Sequence, residues 1–211
     1  MKDLKDSKDG VSQWEFRFAL ASKAFGIFAL CRHFKGEWGG KFIVLEPWQQ
    51  FIVGSIMGWV HRETSLRRFR NSFIELPRGQ GKSTMAGGML LIFAFFDNEP
   101  GAECYSVATK KDQARIVFDY ARQMALRSPK SIGQHVKVSK YAMHNEASES
   151  RALALGADAD TLDGLRPSFV CADEVHRHPS GALIEVMESG MGTRLQPHLM
   201  EITTAGEDDQ S

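Results

Sequence analysis

The chain is poor in cysteine and spaces none of it for chemistry. Cys31, Cys104 and Cys171 are scattered through 211 residues with no Cys-x-x-Cys pair. That excludes a disulfide framework and points to buried free thiols in a reducing compartment. Net charge is also missing: 26 Lys plus Arg balance 26 Asp plus Glu. No global field therefore identifies a partner, and any nucleic-acid contact has to come from a local patch. The longest apolar run, Met89 to Phe96, is far short of the ~20 residues that span a bilayer. The opening stretch, Met1 to Gly10, is charged and has no apolar core for a secretory leader. No repeat or low-complexity segment is present, and the expectation is a cytoplasmic protein of one substantial domain, or of one domain with a small appendage.

What is present centres on Ser72-Phe-Ile-Glu-Leu-Pro-Arg-Gly-Gln-Gly-Lys-Ser-Thr84, followed by the apolar stretch Met85 to Phe96. It reads as strand, glycine-rich turn and helix. Gly79 and Gly81 allow a tight turn with N–H groups pointing inward, and a helix starting near Lys82 adds the positive end of its dipole. Lys82 is then the group that reaches the β- and γ-phosphates of a nucleotide, and the Ser83 hydroxyl the one that ligates Mg²⁺. The pattern departs from the standard phosphate loop at Leu76, where a glycine is expected. Gly87 and Gly88 sit inside the helix, where each costs about 1 kcal/mol against Ala, so a close backbone contact is expected there.

In chain order, Met1 to Gly10 reads as a frayed start and Trp14 to Phe34 has apolar residues at helical spacing, punctuated by Gly36 to Gly40. Pro47 suits the first turn of a second helix continuing to Val60. Gln49, just inside it, is the candidate for the adenine edge, because its amide both donates and accepts; a solvated glutamine is the plain alternative. His61 to Arg70 is a basic turn, more often a solvated face than a nucleic-acid contact. Ala102 to Ala108 is a strand, and Thr109 reads as the N-cap of the next helix with Lys110 and Lys111 at its mouth. Ile116, Val117, Tyr120 and Met124 fit one face of that helix. His135 to Ser139 and Arg151 to Leu155 read as short strands. Asp158 to Gly164 only superficially resembles a calcium loop, since its acidic spacing is wrong.

Ser168-Phe-Val-Cys-Ala-Asp-Glu174 is a buried strand ending on two carboxylates. In an open α/β sheet ligands lie at the carboxyl ends of the strands. Asp173 should therefore arrive beside Ser83 and hold Mg²⁺ through water, with Glu174 activating the attacking water. His176 and His178 lack a third ligand to make a metal site. Ala182 to Met191 reads as a helix and Leu199 to Gly206 as a final strand ending in Thr203 and Thr204, whose hydroxyls could sense a γ-phosphate.

Six stretches together resemble the ATPase domain of the large terminase subunit of tailed bacteriophages: Leu45-Glu-Pro-Trp-Gln-Gln, Pro77-Arg-Gly-Gln-Gly-Lys-Ser, Ala108-Thr-Lys-Lys-Asp-Gln-Ala-Arg, Asp160-Thr-Leu-Asp-Gly-Leu-Arg-Pro-Ser, Val170-Cys-Ala-Asp-Glu-Val-His and Ile202-Thr-Thr-Ala-Gly. A missing first glycine in the phosphate loop is usual in that family. The resemblance implies an α/β P-loop NTPase of the additional-strand, catalytic-glutamate type. Its sheet would be mostly parallel and flanked by helices, with a strand between those of the phosphate loop and Asp173. A helical extension over residues 1–65 would precede an ATPase core over residues 66–211.

The implied site has ATP on Gln49, Arg78, Gly79, Gln80, Gly81, Lys82, Ser83 and Thr84, with Mg²⁺ on Ser83 and Asp173. Glu174 would be the base, Arg78 would approach the γ-phosphate, and Thr203 and Thr204 would couple hydrolysis to movement. Such motors form homo-oligomeric rings in the host cytoplasm, where a neighbour donates an arginine finger. Arg151 is the choice here, with Arg115 and Arg166 behind it. The implied partners are double-stranded DNA, the portal protein and the small terminase subunit. Large terminases normally carry a nuclease domain after the ATPase. The chain stops beyond Gly206, so the expectation is an isolated, possibly monomeric domain with weak ATP turnover and no DNA cleavage. Two competitors are a helicase-like ATPase, which wants a second motor lobe, and a non-catalytic nucleotide-binding module, which has no use for a water-activating Glu174.

Overall fold

The computed structural model describes residues 12–156, 164–175 and 181–204. The elements in order are β1 (Trp14–Phe16), α1 (Phe18–Leu30), α2 (Pro47–Gly58), β2 (Trp59–His61), β3 (Asn71–Leu76), α3 (Lys82–Phe95), β4 (Glu103–Ala108), α4 (Lys111–Arg127), β5 (Lys137–Val138), β6 (Ala142–Asn145), β7 (Ser150–Gly156), β8 (Phe169–Asp173), α5 (Ala182–Met191) and β9 (His198–Thr204). Seven strands form one sheet in the order β3-β9-β8-β4-β7-β6-β5. The first five are parallel, and β6 and β5 add an antiparallel edge. The alternation of strands with helices in the sequence forecasts this class, because parallel neighbours need crossover helices.

Parallel pairing sends the ends of β3, β9, β8, β4 and β7 to a single edge of the sheet. Leu76 lies opposite Thr204 and Asp173 opposite Ile202 in the register. Strand β9 occupies the place between the phosphate-loop strand and the acid-bearing strand. Central β8 is buried at all five positions, as a strand covered on both faces should be. On one face α3 runs through the middle of the core, buried from Met85 to Ala94. The close approach expected at its glycines is real: a Cβ on Gly88 would lie 2.0 Å from the Phe28 ring, and one on Gly87 would lie 2.7 Å from Tyr120 Cβ. The other face carries α5, whose Leu183, Met187 and Met191 pack with Tyr105, Val107, Val170 and Leu199.

Three local expectations give way. The helix expected over 14–34 is shorter, because Trp14 to Phe16 pair as a strand with Trp59 to His61. The same pairing ends α2 at Gly58, where the Phe16 ring packs against the backbone and a Cβ would fall 2.4 Å from its Cε2. The extension is therefore mixed rather than helical. Ala24, Phe28, Val53 and Ile56 share one core with Met85, Leu91 and Phe118. Thr109 is not the N-cap of α4: Lys110 holds that position without a side-chain cap, and Thr109 Oγ1 donates to Gln113 Oε1 at 3.1 Å.

The basic run at 61–70 is not a solvated face either. Arg67 is buried against Asp97 at 2.8 Å, Arg70 donates to Leu195 O, and Arg62 holds Ser12 O and faces Glu15. The runs at 102–108, 151–155, 182–191 and 199–206 correspond to β4, β7, α5 and β9, while β6 escaped the sequence reading. Met1 to Gly10, the calcium-loop look-alike, His176 and His178 lie outside the described residues.

Candidate functional site: a phosphate loop facing an acid pair

The loop between β3 and α3 turns through two left-handed glycines, Gly79 at φ +82° and Gly81 at φ +75°. Such angles cost a side-chain-bearing residue strain, so glycine is required by geometry. Gly81 is also the N-cap of α3 and leaves its first turn without a side-chain cap. Those amides are what an anion needs. Lys82, Ser83 and Thr84 form that first turn and are partly exposed, while Arg78, Gly79 and Gln80 are exposed on the loop.

Across the edge, β8 delivers Asp173, only 4% exposed, and the chain turns at Glu174 with φ +52°. A non-glycine residue in this region stores about 1–3 kcal/mol of strain and persists only where its surroundings hold it. Here they do. Glu174 N donates to Asp173 Oδ1 at 2.9 Å. Thr204, the last residue of β9, donates through Oγ1 to Glu174 Oε1 at 2.9 Å and Oε2 at 3.1 Å. Lys82 Nζ donates to Glu174 Oε1 at 3.0 Å and to Thr204 Oγ1 at 2.9 Å, and stands 3.8 Å from Asp173 Oδ1. Segments about ninety residues apart in sequence thus meet on one ammonium group. Thr203 is buried one residue earlier in β9 and alternates to the other face.

Gln49 lies against the loop, buried, with its Nε2 3.1 Å from where a Gly81 Cβ would sit. Glu46 N donates to Gln49 Oε1 at 2.9 Å in a capping box that starts α2. The amide nitrogen faces the loop, and the oxygen, with one of its two lone pairs engaged by Glu46 N, keeps a second for an acceptor role. Pro47 at the start of the helix fixes this arrangement.

The three arginines considered as fingers separate. Arg151 starts β7 at the opposite edge, where Nη2 is 3.2 Å from Glu103 Oε1 and 3.3 Å from Tyr105 Oη. It cannot reach this chain's own Lys82, only a phosphate presented by another subunit. Arg166 precedes β8 at that same far edge, where its N–H donates to Glu103 Oε2 at 3.3 Å. Arg115, on the second turn of α4, lies on the edge that carries Lys82, with its guanidinium over the Tyr141 ring.

The family profile of the terminase large subunit ATPase domain matches residues 47–211. The chain belongs to this family. Its fold likeness extends to the large terminase of bacteriophage HK97, with a TM-score of 0.72 at 20% identity, over 87% of this chain and 37% of that one. The ATPase domain of the Thermus phage P74-26 large terminase, in a single-residue mutant form, gives 0.56 at 22% identity, over 77% of this chain and 66% of that one. Among curated proteins, Protein YmfN of Escherichia coli (strain K12) is 48% identical over 44 residues, or 21% of this chain and 10% of YmfN. The terminase ATPase chain thus spans little more than a third of the HK97 enzyme and a tenth of YmfN.

The donor set suits a hard divalent cation: a carboxylate from Asp173 and a hydroxyl from Ser83 offer only oxygen. Asp173 sits at the strand end that faces the uncapped start of α3. Sequence reasoning did not foresee the link of Thr204 to both Lys82 and Glu174. The only cue was a hydroxyl at the end of an apolar strand, and its significance depends on β9 lying between β3 and β8.

Proposed function

We propose that the chain is the ATP-hydrolysing motor domain of a viral DNA-packaging terminase, and that it couples hydrolysis to movement of double-stranded DNA into a procapsid. The reading rests on one observation, the meeting of Lys82 with Glu174 and Thr204 at the loop edge of the sheet. In this reading the amides of the Gly79–Lys82 turn and the ammonium of Lys82 bind the β- and γ-phosphates. Ser83 and Asp173 hold Mg²⁺, which when bound neutralises charge on the phosphate oxygens. Arg78 and Gln80 swing in from the exposed loop, and Thr84 steadies the first turn of α3. Gln49 closes the nucleotide's other side through its amide nitrogen.

Glu174 then has two partners in succession. Without nucleotide it accepts from Lys82 and Thr204. As the γ-phosphate takes Lys82, Glu174 is freed from the ammonium and accepts the proton of an attacking water as general base. Thr204 keeps contact with it, so the state of the phosphate reaches β9 and, through Thr203, the sheet's other face. Arg151 acts in trans on a neighbouring subunit's phosphate in a homo-oligomeric ring, with Arg115 and Arg166 as the alternatives. DNA, portal protein and small terminase subunit are the partners, in the host cytoplasm. Residues 66–211 carry the chemistry, and α1 and α2 buttress α3.

The test is Glu174→Gln, followed by phosphate release and by binding of a fluorescent ATP analogue. Turnover should fall by roughly 10²–10⁴-fold with analogue binding retained. Equal turnover in both proteins would sink the mechanism, and no turnover in either would favour a binding module without catalysis.

A further inference from the structure

Lys111 and Arg115 are four residues apart on α4 and so share a face. The tip of the β5–β6 hairpin brings two more residues to that face. The Arg115 guanidinium lies 5.3 Å from the Tyr141 ring centroid and the Lys140 ammonium 5.1 Å from it. Tyr141 is 57% exposed. A hydrogen bond from Lys140 and the charges of Lys140, Arg115 and Lys111 all draw the Tyr141 phenol below its ordinary range.

In a chain of zero net charge only a local cluster of cations can single out an anionic partner. Arg17, Arg67, Lys82, Arg151 and Arg194 each face a carboxylate. Among the described residues no ion pair involves Lys111, Arg115 or Lys140. The acids on the adjoining elements are Asp112 and Asp119 on α4 and Glu146 after β6, and Glu146 is held by Lys137. Contacts of Arg115 and Lys140 with the Tyr141 ring offset only part of the repulsion among these three like charges. The patch also has a definite place. α4 begins just past the end of β4, and β6 starts opposite Leu153, midway along β7, so that the antiparallel hairpin tip before it runs toward the end of β7. Both elements therefore present it at the Lys82 edge of the sheet.

We infer that Lys111, Arg115, Lys140 and Tyr141 form a contact for the phosphate backbone of a nucleic-acid duplex. The inference rests on the motor reading above and supplies the surface that reading lacks. All four side chains can donate to phosphate oxygens, which positions a duplex without reading its sequence. Their shared edge with Lys82 puts the grip on the same strand ends that the nucleotide moves.

The test measures binding of a fluorescein-labelled duplex of random sequence between 50 and 200 mM salt. It compares the wild type, Lys111→Gln/Lys140→Gln and a control that removes equal charge, Lys35→Gln/Lys130→Gln. Arg115 is left in place because it is also a finger candidate. Each lost phosphate contact reduces the salt slope by about 0.9, so the patch variant should lose about 1.8 from the slope, and the wild type's advantage should shrink roughly tenfold across this range. Lys111→Arg/Lys140→Arg should restore it. An unchanged slope, an equal loss in the control, or no salt-dependent binding by the wild type would overturn the assignment. A failed Glu174→Gln test with a positive result here would remove the motor mechanism and leave the duplex surface standing; the reverse pattern would remove the surface alone.

Discussion

The two edges of the sheet use the same kinds of contact to opposite ends. At the amino edge, Arg67 holds both carboxylate oxygens of Asp97 at 2.8 and 2.9 Å and lies over Phe93. Arg194 pairs with Glu99 at 3.1 Å and Arg151 with Glu103. His198, wholly buried, accepts or donates between Ser72 Oγ and Phe69 O. Apart from Arg67 Nε, which is buried without a partner, these groups are satisfied by loops or strands of the same chain, and the contacts fasten strand starts to the turns before them. At the carboxyl edge Lys82, Asp173, Glu174 and Thr204 satisfy one another, and one of them does so in a strained conformation. A phosphate can take Lys82 from Glu174 with a charge-assisted contact of its own. An ion pair therefore says little about its role until what could displace it is known.

Breaking the amino edge should cost stability and spare turnover per folded molecule. Asp97→Ala strands the buried Arg67 guanidinium and should destabilise by about 3–5 kcal/mol, read from urea unfolding. Replacing both partners by apolar residues, as in Arg67→Met/Asp97→Leu, should recover most of it; no recovery would mean that Asp97 acts through something other than Arg67.

A smaller effect sharpens the comparison through pH. Burial pushes the His198 imidazole down to about 3 from an ordinary 6.5, against the backbone bond to Phe69. The folded protein thus keeps His198 neutral where the unfolded chain takes up a proton. The unfolded state binds more protons between about pH 6.5 and 3, so stability is full above that window and falls as pH drops through it. By pH 5 the loss should approach about 2 kcal/mol. His198→Gln should flatten that part of the stability curve, and an unaltered slope would show that other groups set it.

The smallest expected effect is at the carboxyl edge. Thr204→Val removes one neutral hydroxyl that bridges Lys82 and Glu174, worth about 1 kcal/mol, so kcat should fall about five- to tenfold with little change in melting temperature. A loss as large as that of Glu174→Gln would make the hydroxyl a participant in the chemistry rather than a positioning group.

The two basic regions show how far the sequence could be read. His61 to Arg70 looks like a binding surface because its cations are consecutive, yet Arg67 is buried and Arg62, Arg68 and Arg70 are taken by backbone oxygens and rings. Lys111 and Arg115 read as a helix mouth and a finger candidate, and nothing in the chain joins them to Lys140, because the rest of a helix and a loop intervene. Consecutive charges point in several directions once a turn forms, whereas distant ones can share a face. The same limit explains Thr109, which has the composition of a cap without its position.

By itself the sequence determined the parts: glycines where the backbone must turn left-handed, an apolar strand ending in two acids, and helices alternating with strands that demand a parallel sheet. Those features are local, because each follows from allowed dihedrals or from which side chains avoid water. Only the tertiary structure decided that the strand between β3 and β8 is β9, that Thr204 therefore touches both Lys82 and Glu174, and that Arg151 lies at the sheet edge opposite its own chain's Lys82. Strand order depends on how crossovers pack over a shared core, and no short window of residues contains that information.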